Sequence, residues 1–286
     1  MDLKIQDLSF GYKKNNLLKS INLSVSSGEV IALVGQNGCG KTTLLKIISG
    51  FLREDSGHII IDNKEVIKDK IYSGIIETPA FWNHMTGNEN LLYYLEKDYS
   101  KEKIDEYADK FDLSHMLDKT VKDYSLGMKQ KLGLILSFVS DSPIMLFDEP
   151  TNSLDQPSVG VFFECVMNAK RNGKIVIITT HIVYELDKYC DSIYLIKEGK
   201  LLKYCPSCEE FVITYATDKG ALSASKMISD SDVIKIDNSS IYIRPASKTI
   251  SDIVRETSSV DIIGVRQEPL TFDKICDKAR KIEGGV

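Results

Sequence analysis

The stretch GEVIALVGQNGCGKTTLLKIISG, Gly28–Gly50, decides the fold. It opens on a continuous apolar run, Val30–Val34, turns through Gly35, Gly38 and Gly40, and closes in a helically spaced apolar pattern that stops at Gly50. A buried strand, a glycine-rich turn and a helix in that order form one unit of a parallel α/β sheet. Two more apolar runs, PIMLF (Pro143–Phe147) and KIVIITT (Lys174–Thr180), lack the alternation of a half-exposed strand and suit a parallel sheet covered on both faces. SIYLIKEGKLL then reads as a hairpin around Glu198 and Gly199. Between Asn83 and Val139 the chain changes character, with helical patterns in GNENLLYYLEK and GMKQKLGLILSFV and no convincing strand, which predicts an inserted helical lobe.

From about Cys208 the pattern changes again: FVITYA, a helix through KGALSASKMIS, VIKID, IYIRPA, a helix through TISDIVRETSS, IIGVRQ, and a last helix TFDKICDKARK. The order βαββαβ is that of a ferredoxin-like α+β domain. With 286 residues the chain has room for two domains, expected at 1–204 and 208–286.

A formal net charge of -5, with no long basic run, argues against nucleic acid as the main partner. No apolar run approaches the roughly 20 residues of a membrane-spanning helix, and MDLKIQDLSF lacks the order of a signal peptide, so a cytoplasmic location is expected. Of the cysteines, only Cys205 and Cys208 have the two-residue gap used by zinc and redox sites. A zinc site needs a second ligand pair, and Cys190 is the one plausible extra thiol, so reduced structural cysteines are the expectation.

GQNGCGKT fits the phosphate-loop pattern in full and sits in the strand-to-helix context that the pattern requires. Its glycines let successive backbone N–H groups converge on a phosphate, and the following helix adds its positive end. Gly35, Asn37, Gly38, Cys39, Gly40, Lys41, Thr42 and Thr43 are therefore the nucleotide-binding candidates, with Lys41 bridging phosphates and the Thr42 hydroxyl ligating Mg²⁺. Cys39 reads as a tolerated small residue. In IMLFDEP an apolar strand stops at two adjacent carboxylates, at the sheet edge where α/β proteins bind ligands. Asp148 is placed to hold Mg²⁺ through water, and Glu149 to accept a proton from the water that attacks the γ-phosphate. His181, directly after IITT, ends the next strand and is expected to contact the γ-phosphate.

With these residues in place the chain resembles the ATP-binding subunit of an ABC transporter, over about Met1–Lys203. The stretch YSLGMKQKL, Tyr124–Leu132, looks like the signature motif, with Ser125 and Gly127 matching its Ser and second Gly, while Leu126 replaces the first Gly and Met128 the Gln. The resemblance implies an ATPase core of the P-loop type with an antiparallel β subdomain beside the helical lobe. It also implies a head-to-tail dimer in which Ser125 and Gly127 of one subunit reach ATP on the phosphate loop of the other. By the same resemblance Tyr12 in FGY stacks on adenine, NSLD is a D-loop carrying Ser153 and Asp155, and His181 is the switch histidine.

Glu77, in SGIIETPAFWN, stands where most such ATPases carry the Gln that joins the core to the helical lobe and touches both Mg²⁺ and the membrane partner. A Glu there, with IETPAFW and MTGNEN, is similar to bacitracin-type exporters and lantibiotic-immunity transporters. A carboxylate adds a hard oxygen near the metal and repulsion against the γ-phosphate. The expected function is an ATPase at the cytoplasmic face of the membrane, driving export of a peptide antibiotic through a separately encoded permease. The alternative is a soluble ABC ATPase of translation or DNA maintenance. That class carries two cassettes or long coiled coils, and neither occurs here.

Overall fold

A computed structural model describes residues 1–267 except 14, 63, 66–71, 96–99, 141, 181–185, 205–210, 230–231 and 244–248. By the density of contacts, Met1–Tyr204 belongs to one compact unit and the described residues between 211 and 267 belong to a second.

In the first unit the chain begins with β1 (Asp2–Tyr12) and β2 (Asn15–Ser26), long antiparallel strands whose alternating buried and exposed residues mark one wet face. β3 (Val30–Val34) follows, then α1 (Lys41–Ile48), β4 (Ser56–Ile61), the two-residue β5 (Lys64–Glu65) and β6 (Tyr72–Ile75). The helical lobe holds α2 (Gly87–Leu95), α3 (Lys101–Lys110), two short 3-10 turns and α4 (Leu126–Val139). β7 (Ile144–Asp148), α5 (Gln156–Arg171), β8 (Ile175–Thr180), α6 (Leu186–Tyr189), β9 (Ser192–Lys197) and β10 (Lys200–Tyr204) complete the unit.

Among the described residues two sheets form, an antiparallel one in the order β2-β1-β4-β5 and a second in the order β10-β9-β3-β8-β7-β6. In the second sheet every pairing is parallel except β10 with β9. Every residue of β3, β7 and β8 is buried, as continuous apolar runs in a parallel sheet require. On one face Ile31, Leu33, Leu146 and Ile177 pack into a core shared with Leu44 and Leu45 of α1 and with the inward residues of β1 and β2. On the other, aromatic rings hold the helices: Phe138 of α4 lies 5.5 Å from Phe147 of β7, and Phe147 lies 5.2 Å from Phe162 of α5, centroid to centroid. Removing such a buried ring costs about 3–5 kcal/mol, so Phe138 ties the helical lobe firmly to the sheet.

The second unit runs β11 (Phe211–Tyr215), α7 (Asp218–Ser225), β12 (Val233–Asp237), β13 (Ser240–Ile243), α8 (Ile250–Glu256) and β14 (Ile262–Gln267). Its strand order is β12-β13-β11-β14, with every pairing antiparallel. Two interleaved βαβ units produce that order, which is the ferredoxin-like arrangement. Ile213, Tyr215, Ile241 and Ile243 bury against Ala221, Ala224 and Ile253 of the two helices. The helices start at Thr217 and at Thr249, the latter in a full capping box with Asp252. The last helix expected from the sequence, TFDKICDKARK, lies outside the described residues.

Candidate functional site

The turn between β3 and α1 leaves the sheet at its carboxyl edge, with Gly38 and Gly40 at φ 78° and 112°, values that side chains disfavour. Gly40 is the N-cap of α1, no side chain caps the helix, and no acidic residue occupies its first turn. The helix therefore presents its positive end to whatever lies in the loop. Lys41 is almost wholly buried, and its Nζ donates to the carbonyls of Gly35 at 2.8 Å and Gln36 at 3.2 Å. Cys39 packs its sulfur against Gly35, and burial pushes its thiol above the ordinary value despite the adjacent Lys41.

Asp148, the last residue of β7, accepts from two hydroxyls: Thr42 Oγ1 on one oxygen at 2.7 Å and Thr179 Oγ1 on the other at 2.5 Å. The parallel register sets Asp148 beside Thr179 of β8, so the sheet itself places that bond. One residue on, Glu149 takes a left-handed φ of 47° and donates its N–H to the carbonyl and the hydroxyl of Thr179, both at 3.1 Å. Glu149 Oε1 lies 4.0 Å from Lys41 Nζ, and Oε2 accepts from Asn152 Nδ2 at 2.7 Å. Lys41, Thr42, Asp148 and Glu149 thus meet at one end of the sheet. A hydroxyl and one carboxylate side by side are hard oxygen donors, and among the described residues no group of three or more acidic, His or Cys side chains forms a dedicated metal cage. That fits Mg²⁺, which keeps waters and substrate phosphates among its ligands.

The segment around Ser125 is a second assembly. Ser125 is the N-cap of α4, its hydroxyl accepting from Met128 N at 3.2 Å, and Leu126 is 58% exposed. The helix is tied to the chain that leaves β7: Gln130 Nε2 donates to the Pro150 carbonyl at 3.0 Å, Lys131 pairs with Asp155 at 2.9 Å, and a Cβ on Gly127 would stand 2.6 Å from the Ser153 carbonyl oxygen. Asp155 caps α5, and the hydrogen bond to Ser158, helped by Lys131, holds its carboxyl down at about 2. No hydrogen bond or ion pair among the described residues joins Ser125 or Gly127 to the phosphate loop of the same chain.

Glu77 follows β6 at φ 63°, and its carboxylate meets Lys46 Nζ at 2.6 Å. Lys46 lies one helical turn beyond Thr42 on α1, so the pair links the start of the helical lobe to the phosphate-loop helix. Just beyond, Trp82, Tyr93 and Tyr94 form an exposed cluster of edge-to-face rings. Tyr12, at the end of β1, is 53% exposed and edge-on to Phe10 at 5.0 Å. His181, Cys205 and Cys208 lie outside the described residues. Sequence reading did not single out Thr179, Asn152, Gln130 or Lys46. The paired threonines closing IVIITT were a usable signal for the first, since a polar residue ending a buried strand needs a partner.

A phosphate loop and a strand-end Asp-Glu pair on a parallel sheet, with a capped signature-like helix in an inserted lobe, define a P-loop ATPase of the cassette type. The sequence profile of the ABC transporter family matches residues 18–152. The chain is 33% identical over 203 residues to the lantibiotic transport ATP-binding protein SrtF of Streptococcus pyogenes, covering 70% of this chain and 89% of that one. It is 32% identical over 212 residues to the bacitracin transport ATP-binding protein BcrA of Bacillus licheniformis, covering 71% and 69%. Among solved structures it superposes on an ATP-binding subunit of an ABC transporter with TM-score 0.67 at 24% identity, over 90% of this chain and all of that one, a likeness of fold. It also matches cbiO1 from Clostridium perfringens, part of the transporter complex cbiONQ, with TM-score 0.61 at 26% identity, over 72% and 88%. The chain belongs to the ATP-binding subunits of ABC transporters: it binds ATP, and its hydrolysis serves transport. None of its described helices is long and apolar enough to cross a membrane.

Proposed function

We propose that this ATPase drives export of a peptide antibiotic, lantibiotic-like or bacitracin-like, through a separately encoded membrane permease, from the cytoplasmic face of the membrane. The likeness to SrtF and BcrA supports the cargo class, and the exposed Trp82, Tyr93 and Tyr94 offer the kind of amphipathic aromatic surface that partner proteins cover.

The observation that carries the catalytic reading is the meeting of Lys41, Thr42, Asp148 and Glu149 at the sheet end. Lys41 gives up its loop carbonyls to face the phosphates, joined by the N–H groups of Gly38, Cys39, Gly40 and Thr43, with Gly35 and Asn37 shaping the turn. Thr42 and Asp148 would hold Mg²⁺, with Glu77 beside them once it leaves Lys46, and the ion would supply neutralisation of phosphate charge. Glu149 takes the proton of the attacking water, His181 contacts the γ-phosphate, and Tyr12 stacks on the base. A second subunit arranged head to tail contributes Ser125 and Gly127 to the γ-phosphate, and Ser153 and Asp155 line the contact.

The test is genetic and biochemical. Cells given this chain together with its permease should survive bacitracin or a lantibiotic, and Lys41→Ala, which should weaken ATP binding by deleting a cation that faces the phosphates, should abolish survival. Equal survival with Lys41→Ala means that the cargo is something else or that ATP does not drive its removal.

A further inference from the structure

The turn that carries Glu149 out of β7 is gripped at three points. Its N–H is fixed by Thr179, its carbonyl accepts from the N–H of Asn152 at 3.1 Å, and its Oε2 accepts from the Asn152 side-chain amide at 2.7 Å. The two carboxylate oxygens are thereby made different. Oε2 is occupied by Asn152, and Oε1 is the one facing Lys41 at 4.0 Å, on the phosphate side. Loss of the amide would remove one restraint on rotation about the last side-chain bond, which sets the plane of the carboxylate.

We propose that Asn152 is a positioning residue for hydrolysis, whose amide holds the Glu149 carboxylate with one oxygen aimed at the attacking water. The proposal rests on the reading of Glu149 as the base. An amide suits the task because it donates without bringing charge. An Asp of the same shape would set a second carboxylate 2.7 Å from the first. Ser153 follows directly, and its carbonyl rests on Gly127, so the donor is anchored by the segment that packs on α4. The base is oriented when that segment is seated.

The experiment uses the full chain and measures single-turnover hydrolysis of bound ATP, ATP affinity and thermal unfolding for Asn152→Ala and Asn152→Asp, each alone and in a Glu149→Gln background. Misplacement of a reacting group by about 1 Å costs up to about a hundredfold. Asn152→Ala should slow hydrolysis about tenfold and Asn152→Asp by more, with ATP affinity within about twofold of wild type. In the Glu149→Gln background neither substitution should slow the residual rate further, since residues acting as one unit are not additive. Unchanged hydrolysis in both single variants, or an equal additional loss in the Glu149→Gln background, overturns the proposal. Near-wild-type hydrolysis by Glu149→Gln alone instead removes Glu149 from the base role, which is a separate failure. Because Asn152→Asp keeps size and shape, it decides the matter even if Asn152→Ala does not fold.

Discussion

At the phosphate end of the central sheet Lys41, Thr42, Asp148 and Glu149 each have a partner inside the chain, whereas at the start of α4 Ser125 spends its hydroxyl on its own helix and Leu126 stands exposed. The first region is held by strand register and by hydrogen bonds within the chain. The second is held from behind through Gln130, Gly127, Lys129 and Lys131, and in the proposed dimer its front faces the other subunit. In the proposed function the chemistry belongs to one region and is completed by the other across a dimer, so substitutions in the two should fail differently.

The largest difference is expected from Glu149→Gln. It removes the proposed base and keeps the loop and the Thr42–Asp148 pair, so turnover should fall about 10²- to 10⁴-fold while ATP affinity stays, and the protein should collect as an ATP-bound dimer. Isothermal titration beside steady-state hydrolysis reads both. Gly127→Ala attacks the other region. Its new methyl meets the Ser153 carbonyl, a backbone atom that cannot swing aside, and overpacking of this kind costs about 1–3 kcal/mol. ATP-dependent dimerisation, followed by light scattering, should be lost at concentrations where the wild type dimerises, with nucleotide binding to the monomer retained. If monomer binding falls instead, the two regions are one cooperative unit.

Smaller effects probe the links between them. Glu77→Ala breaks the bond to Lys46, but the glutamate is 59% exposed, so stability should drop by no more than about 1 kcal/mol. Cell survival under antibiotic should fall more than ATP affinity does, and Glu77→Gln should keep much of the basal hydrolysis. Identical behaviour of Glu77→Ala and wild type leaves that carboxylate a loop salt bridge. The smallest effect belongs to Asp155, whose carboxyl is held at about 2 in the folded protein by Ser158 and Lys131. A depressed folded value means stabilisation that is full above about pH 4, the ordinary range, and is lost as pH falls towards 2. Asp155→Asn keeps a helix cap, so its deficit against wild type should be a few tenths of a kcal/mol at pH 7 and vanish near pH 2 in parallel denaturant titrations.

The central strands were legible because continuous apolar runs such as IMLF and IVII have few other uses, and the phosphate loop because its glycines and Lys41 sit in one unbroken stretch. α3 was not legible: in KEKIDEYADK only Ile104 and Ala108 are buried, too sparse an apolar stripe to stand out from a charged loop. The meeting of Thr42, Asp148 and Glu149 was foreseeable from motif spacing, yet the bonds from Thr179 and Asn152 depend on strand register and on a left-handed turn. Lys46 illustrates the same limit, since its partner lies 31 positions along the chain and nothing local marks the pair.

The strand β6, which delivers Glu77, lies against β7 at Gly74, where any Cβ would overlap the carbonyl oxygen of Leu146. Every single-base change that replaces a glycine adds at least that one carbon. A selection for cells that have lost resistance should therefore recover alleles at codon 74 as readily as at the codons of the phosphate loop, although Gly74 carries no functional group at all. Ordinary mutational drift has no small step to take at this position.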